Sequence, residues 1–273
     1  MKRLKLLFLG VLMGAVATGF MFYKFHPLAD QLVQSVLWYQ YSLEKEAIYL
    51  QNFNWAKRLV EQALTEKKNT KPLAVVVDVD ETVLDNSPLE ARLIKEGKTF
   101  SYSEWAKWVN KAIAQPQPGA VSFTQFCKKH NVEVYYITNR SIRFLKPTVE
   151  NLKKMGFAYA DTSHVLMRTN TGDKTARRNK VLAHHDVVVY MGDNMVDLNQ
   201  KYVVGSKQYK KGNVMRDKDL FGTKYIVMPN PMYGHWRHLV LPHHRKHMTA
   251  AEIAEYKISR LKDSLAIVAE EEK

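Results

Sequence analysis

Cysteine is almost missing from this chain: Cys127 is the only one in 273 residues. No disulfide can form within one chain, so stability must come from a packed core. The setting Phe123-Thr124-Gln125-Phe126-Cys127 places that thiol on the buried face of a helix, as a small hydrophobe. No internal repeat and no long low-complexity segment is present, which argues against a solenoid or a disordered tail. Acidic residues are also in short supply, 27 against 41 Lys and Arg, for a formal charge of +14. Lys2, Arg3, Lys5 and Lys24 supply four of these charges and leave +10 on the remainder. A positive field of that size attracts phosphate-bearing substrates, nucleic acid or an acidic membrane surface. The chain carries no recognised nucleic-acid-binding motif, so no specific nucleic-acid partner is expected. The cluster His243-His244-Arg245-Lys246-His247 reads as a metal or polyanion patch or, more simply, as a solvated loop.

Only one long apolar run occurs, Leu6 to Phe22, between basic Met1–Lys5 and Lys24. Residues 1–25 therefore read as a signal peptide or a membrane anchor, with export to the periplasm as the expectation. Ala15-Val16-Ala17 offers a cleavage site, whereas Phe20-Met21-Phe22-Tyr23 prolongs the run toward spanning length and an uncleaved tether. Residues 26–70 look helical, with Trp38, Tyr39, Leu43, Ile48 and Trp55 as packing candidates.

What the chain does have is a set of apolar strands that end in polar residues. Val75-Val76-Val77 runs into Asp78-Val79-Asp80-Glu81-Thr82. Carboxylates at i and i+2 of an extended segment point the same way and repel unless a cation or a proton intervenes. A nucleophile and an acid/base gathered around a hard cation would use both; the simpler reading is a strand followed by an Asp-rich turn. Val132–Ile137 ends in Thr138-Asn139-Arg140, Val187–Met191 in Gly192-Asp193-Asn194-Met195-Val196-Asp197, and Tyr225–Met228 in Pro229-Asn230-Pro231. Strands alternating with helical segments imply an α/β fold with a mostly parallel sheet, whose carboxyl ends converge on one crevice. Asp193 and Asp197 would share a face across one helical turn, and Gly192 would let the backbone turn sharply.

Together these motifs resemble the HAD superfamily of aspartyl-nucleophile phosphatases. DVDETVLDNSP at 78–88, ITNR at 137–140, GDNMVDL at 192–198 and PNPMYGHW at 229–236 are similar to the class C acid phosphatases, which include bacterial lipoprotein 5′-nucleotidases. The resemblance implies a HAD-like Rossmannoid domain over 71–273 with a small helical cap at about 89–118. It implies Asp78 as nucleophile, Asp80 as acid/base, Thr138 as a phosphate hydrogen-bond donor and Lys174 as a fixed cation. It also implies Mg²⁺ held by Asp78, the Asp80 carbonyl and Asp193, with Asp197 behind them holding water or orienting Lys174. Asn139, Trp105 and Tyr233 are expected at the substrate, the two aromatics sandwiching a nucleobase; His235 and Trp236 are further pocket candidates.

Lys174 sits among Arg177, Arg178 and Lys180, so a solvated basic helix face is the competing reading there. Ser101-Tyr102-Ser103-Glu104 opens an amphipathic helix that carries Trp105 and Trp108. The lipoprotein members carry a cysteine at the end of their leader, and this chain does not. A homodimer is common in the resembled family. The expected substrate is a small phosphomonoester, with an acidic pH optimum because Asp80 must first act as an acid. Two other readings follow from the same residues: a membrane-anchored, non-enzymatic polyanion binder on a phosphatase fold, and a different aspartyl-nucleophile reaction.

Overall fold

Leu73–Val77 forms β1, and all five side chains are buried, as a strand covered on both faces demands. In the computed structural model, which describes residues 27–66, 70–242 and 245–262, β1 is the middle strand of a five-stranded sheet. Its companions are β4 (Glu133–Ser141), β5 (Val165–Arg168), β6 (Asp186–Gly192) and β7 (Tyr225–Val227). Their order is β5-β4-β1-β6-β7 and every pairing is parallel. The chain runs from β1 to β4 and β5 on one side, then crosses to β6 and β7 on the other. The order therefore reverses at β1, and such a switch point opens a crevice beyond the strand ends. The leader at 1–25 and the pair His243-His244 lie outside the described residues.

Helices cover the sheet. α1 (Pro27–Asp30), α2 (Val33–Tyr41) and α3 (Leu43–Thr65) precede β1. Between β1 and β4 come β2 (Leu84–Asp85), α4 (Ser87–Lys95), α5 (Tyr102–Val109), β3 (Gln115–Pro116) and α6 (Ala120–Lys129). β2 and β3 pair antiparallel and so hold the two ends of the α4–α5 excursion together. α7 (Leu145–Lys154) and α8 (Thr175–His184) flank β5; α9 (Met195–Leu198) and α10 (Asn213–Arg216) follow β6; α11 (Arg237–Val240) and α12 (Ala250–Ser259) follow β7. Cys127 is fully buried in the core beside Phe123 and Val134, and burial pushes its thiol up to about 12.

Four features differ from the sequence reading. β4 continues through Thr138, Asn139 and Arg140 instead of stopping before them, because Ser141 pairs with Arg168 across an irregular register. β5 was not among the expected strands; four residues with alternating burial give too short a signal to separate from a loop. The helical stretch before β1 is broken at Ser42, whose extended backbone and side chain cap α3 by accepting from the Lys45 N–H. That break resets the helical phase. Leu43 and Trp55 are consequently exposed, and Val36, Tyr39, Tyr49, Phe53, Ala56 and Val60 fill the core. Finally, Gly192 ends β6 without a left-handed turn; its purpose is space, as described below.

Candidate active site

The loop after β1 is tied down residue by residue. Asp78 N–H donates to the Met191 carbonyl on β6 at 2.9 Å. Glu81 adopts φ +52°, the left-handed region, to close a turn in which Val83 and Leu84 N–H both reach the Val79 carbonyl. The fully buried Glu81 side chain accepts from Asn86 N–H at 2.7 Å, and the Tyr49 hydroxyl donates to the Glu81 carbonyl. Thr82 accepts from the Asp193 N–H at 3.1 Å and locks the first motif to the fourth.

Lys174, at the N-terminus of α8, is 2% exposed. Its ammonium donates to Asp78 and, at 2.5 Å, to the Ile137 carbonyl, and it pairs with Asp197 at 2.6 Å. Burial opposes its charge, yet Asp197 and Asp78 hold it above its ordinary value. The solvated basic face is thereby overturned. Arg177 donates to the Thr138 carbonyl and to Asn139 Oδ1, and Arg178 donates to the Val196 carbonyl at 2.7 Å. One turn of α8 therefore clamps the ends of β1, β4 and the segment after β6.

Asp78, Asp193 and Asp197 each bring a carboxylate oxygen within 4.8 Å of the others. The helical turn expected to align Asp193 and Asp197 is arranged differently: Asp193 precedes the N-cap Asn194, and Asp197 folds back to accept from the Asn194 N–H at 2.9 Å. A Cβ at Gly192 would overlap the Asp197 carboxylate, so glycine is required there for close approach. Asn230 donates to Asp193 at 2.8 Å. Burial, only partly offset by Lys174 and reinforced by Asp197 and Asp80, pushes Asp78 up to about 7. Burial and the neighbouring Asp197 and Asp78 hold Asp193 well above the usual carboxylate range. Crowded, desolvated, all-oxygen donors of this kind fit a hard divalent cation, which would remove the repulsion.

Asp80 sits at the other side of the crevice. Arg140, almost wholly buried, grips it from Nη2 at 2.8 Å and Nε at 3.0 Å, and Asn86 Nδ2 donates at 2.8 Å. Thr138 is fully buried. Its hydroxyl accepts from the Arg140 N–H at 3.0 Å and lies 3.5 Å from Asp80. The cavity above, about 760 Å³, is lined by Asp78, Asp80, Lys174, Asp193 and Asp197 together with Asn139, Trp105, Tyr233 and His235. Thr138 and Trp236 are not part of that lining. Asn139 is anchored to the Gly172 carbonyl at 3.0 Å, and Trp108 donates to Asn86 at 2.7 Å, away from the cavity.

Arg140, Thr82 and Asn230 were missed as functional residues. Each lies inside a motif already singled out, but a lone arginine or asparagine after a strand carries no pattern of its own. Only the fold shows which carboxylate it holds.

A buried aspartate just after the central strand, paired with a buried lysine and crowded by two further carboxylates, is the arrangement expected of a HAD-type phosphatase. The family model of the HAD superfamily, subfamily IIIB (Acid phosphatase), matches residues 21–236, and the chain belongs to that family of phosphomonoester hydrolases. The class C acid phosphatase from Bacillus anthracis is 35% identical, with a TM-score of 0.79 over 87% of this chain and 99% of that one. The same enzyme with tungstate bound superposes with a TM-score of 0.80. Acid phosphatase 1 of Solanum lycopersicum is 29% identical over 166 residues, and the class B acid phosphatase of Morganella morganii 29% over 150. The matched stretches span 57% and 62% of those two relatives' own lengths.

Proposed function

We propose that this chain is an exported, Mg²⁺-dependent acid phosphatase that hydrolyses nucleoside 5′-monophosphates and related phosphomonoesters through an aspartyl-phosphate. The observation that carries the reading is Asp78: it is buried at the end of β1, paired with Lys174, and backed by Asp193 and Asp197. The Bacillus anthracis relative takes up tungstate, an oxyanion tetrahedral like phosphate, which supports a phosphate-bearing substrate. For the nucleoside part, the support is the pair of aromatics, Trp105 and Tyr233, on the cavity wall, since stacking tolerates any base.

Asp78 and Asp193 would hold the metal, with the Asp80 carbonyl added by resemblance; when bound, it neutralises charge on the phosphoryl oxygens. Asp78 attacks phosphorus as the ester P–O bond breaks, and Asp80 gives its proton to the departing oxygen. Asp80, now a carboxylate, takes a proton from water as that water displaces Asp78 and releases phosphate. Lys174 opposes the protonation that burial favours at Asp78 and orients its carboxylate, a bound cation would favour the ionised form further, and Arg140 with Asn86 fixes where the Asp80 carboxyl points. The residues' order of action favours an acidic optimum, which a rate rising steadily to about pH 9 would contradict.

For export, the support is the apolar run Leu6–Phe22 behind a basic start; among the described residues no helix is long and apolar enough to cross a membrane. The decisive experiment is phosphate release over a panel of esters, with and without Mg²⁺, for the wild type and Asp78→Asn. Release that needs both Mg²⁺ and Asp78 and favours nucleoside monophosphates is expected. Equal inertness of the two proteins would sink the proposal.

A further inference from the structure

One buried charge in the cavity has no role in the chemistry above. Glu90, in α4, is 7% exposed and lines the same cavity as Asp78. Its carboxylate has no hydrogen-bond donor and no ion pair among the described residues. Among the described residues the one charged group that acts on it is Arg237, at the start of α11, which lines the cavity as well. Arg237 is likewise without a side-chain hydrogen bond among the described residues; burial and Arg245 disfavour its charge, and Glu90 favours it. Burial pushes Glu90 above its ordinary range while Arg237 pulls the other way.

A desolvated carboxylate without donors is costly, and a fold keeps one only where something else supplies the hydrogen bonds. Glu90 and Arg237 line one cavity and form no ion pair with each other, so they leave a polar slot whose acceptor and donors do not satisfy one another. A second phosphate would be repelled by Glu90, and an ammonium group by Arg237. A hydroxyl satisfies both, because it donates and accepts at once.

We propose that Glu90 and Arg237 form a hydroxyl-binding subsite that selects phosphomonoesters whose leaving group carries a sugar. This rests on the phosphomonoesterase reading and deepens it: the aromatics accept any flat ring, and the Glu90–Arg237 slot separates a ribosyl ester from an aryl or alkyl one. Sites that hydrogen-bond a substrate hydroxyl discriminate against its absence because their own polar groups are then left unpaired.

The test uses the full chain and three substrates: a ribonucleoside 5′-monophosphate, its 2′,3′-dideoxy counterpart and 4-nitrophenyl phosphate. Wild type is expected to favour the ribonucleotide over the dideoxy compound by about tenfold in kcat/KM, the worth of a charged hydrogen bond, mostly through KM. Glu90→Ala should bring that ratio close to one, and Glu90→Gln should retain part of it. A wild type that does not distinguish the two nucleotides overturns the subsite, and that comparison needs no variant to fold. So does a Glu90→Ala enzyme that keeps the full ratio, or one whose only change is an equal loss on all three substrates. If the wild type releases phosphate from none of them, the phosphomonoesterase reading itself fails, and the subsite with it.

Discussion

Replacing Lys174 with alanine would leave Asp78 and Asp197 facing each other in a site without a counter-charge. Breaking a buried pair from one side typically costs about 3–5 kcal/mol, so Lys174→Ala should lower the denaturation midpoint as well as abolish turnover. Urea unfolding with and without Mg²⁺ would show it. Asp78 carries a second consequence. Burial pushes its carboxyl up to about 7 against an ordinary value near 3.9. The folded state thus binds more protons than the unfolded chain between those values, and the metal-free protein should lose stability as pH rises from about 4 to 7. A divalent cation competes for the same carboxylate, so its stabilising effect should grow over that range. Thermal melts at pH 5.5 and 7.5 with added Mg²⁺ check the sign: a larger rise in Tm at pH 5.5 would refute it. Gly192→Ala would push against the Asp197 carboxylate and is expected to cost about 10–100-fold in turnover or metal affinity, as displaced supporting residues do. At this scale the sequence spoke unevenly. Asp78, Asp80 and Asp193 could be found because paired carboxylates after an apolar strand are rare. Arg140 could not, because its partner is sixty positions away and only the parallel pairing of β1 with β4 brings the two together.

Among the elements, α5 connects the cap to the chemistry. Ser101 caps it by accepting from the Glu104 N–H at 3.3 Å, and the helix presents Trp105 to the cavity while Trp108 holds Asn86. Ser101→Ala should destabilise by about 1 kcal/mol, the usual worth of such a cap, and raise KM for a nucleotide more than it lowers kcat. Steady-state kinetics on that variant would separate the two. The Ser101 cap was legible because Ser-x-x-Glu is a local pattern, although the Glu104 side chain turns to Arg92 and Lys107 and leaves the box unclosed. The break between α2 and α3 was not: nothing in the stretch from Leu28 to Lys68 outweighs the periodic apolar residues, and the break at Ser42 shows in its extended backbone and its cap on Lys45. β5 escaped for a similar reason, being short and at the sheet edge, where half its side chains are only partly buried.

For the whole molecule, the basic excess acts at a distance. With +14 formal charges on the chain, kcat/KM for an anionic ester should fall as ionic strength rises at fixed Mg²⁺, because steering is screened beyond roughly 8 Å at physiological salt. A flat salt profile would place the surface charge outside the encounter step. A mostly parallel sheet with converging strand ends was readable from the alternation; the strand order, the switch point at β1 and the seat of the first described helix were not. Leu28 and Leu32 line the cavity, and Gln31 nearby receives Lys257 of α12 at 2.8 Å. α1 therefore stands at the cavity wall, and α12 packs against α1. An enzyme gripped by its amino-terminal side would turn its mouth toward whatever holds it. Immobilised on a bead through that side, it should process small soluble esters slowly for want of room, and esters displayed on the bead's own surface with ease.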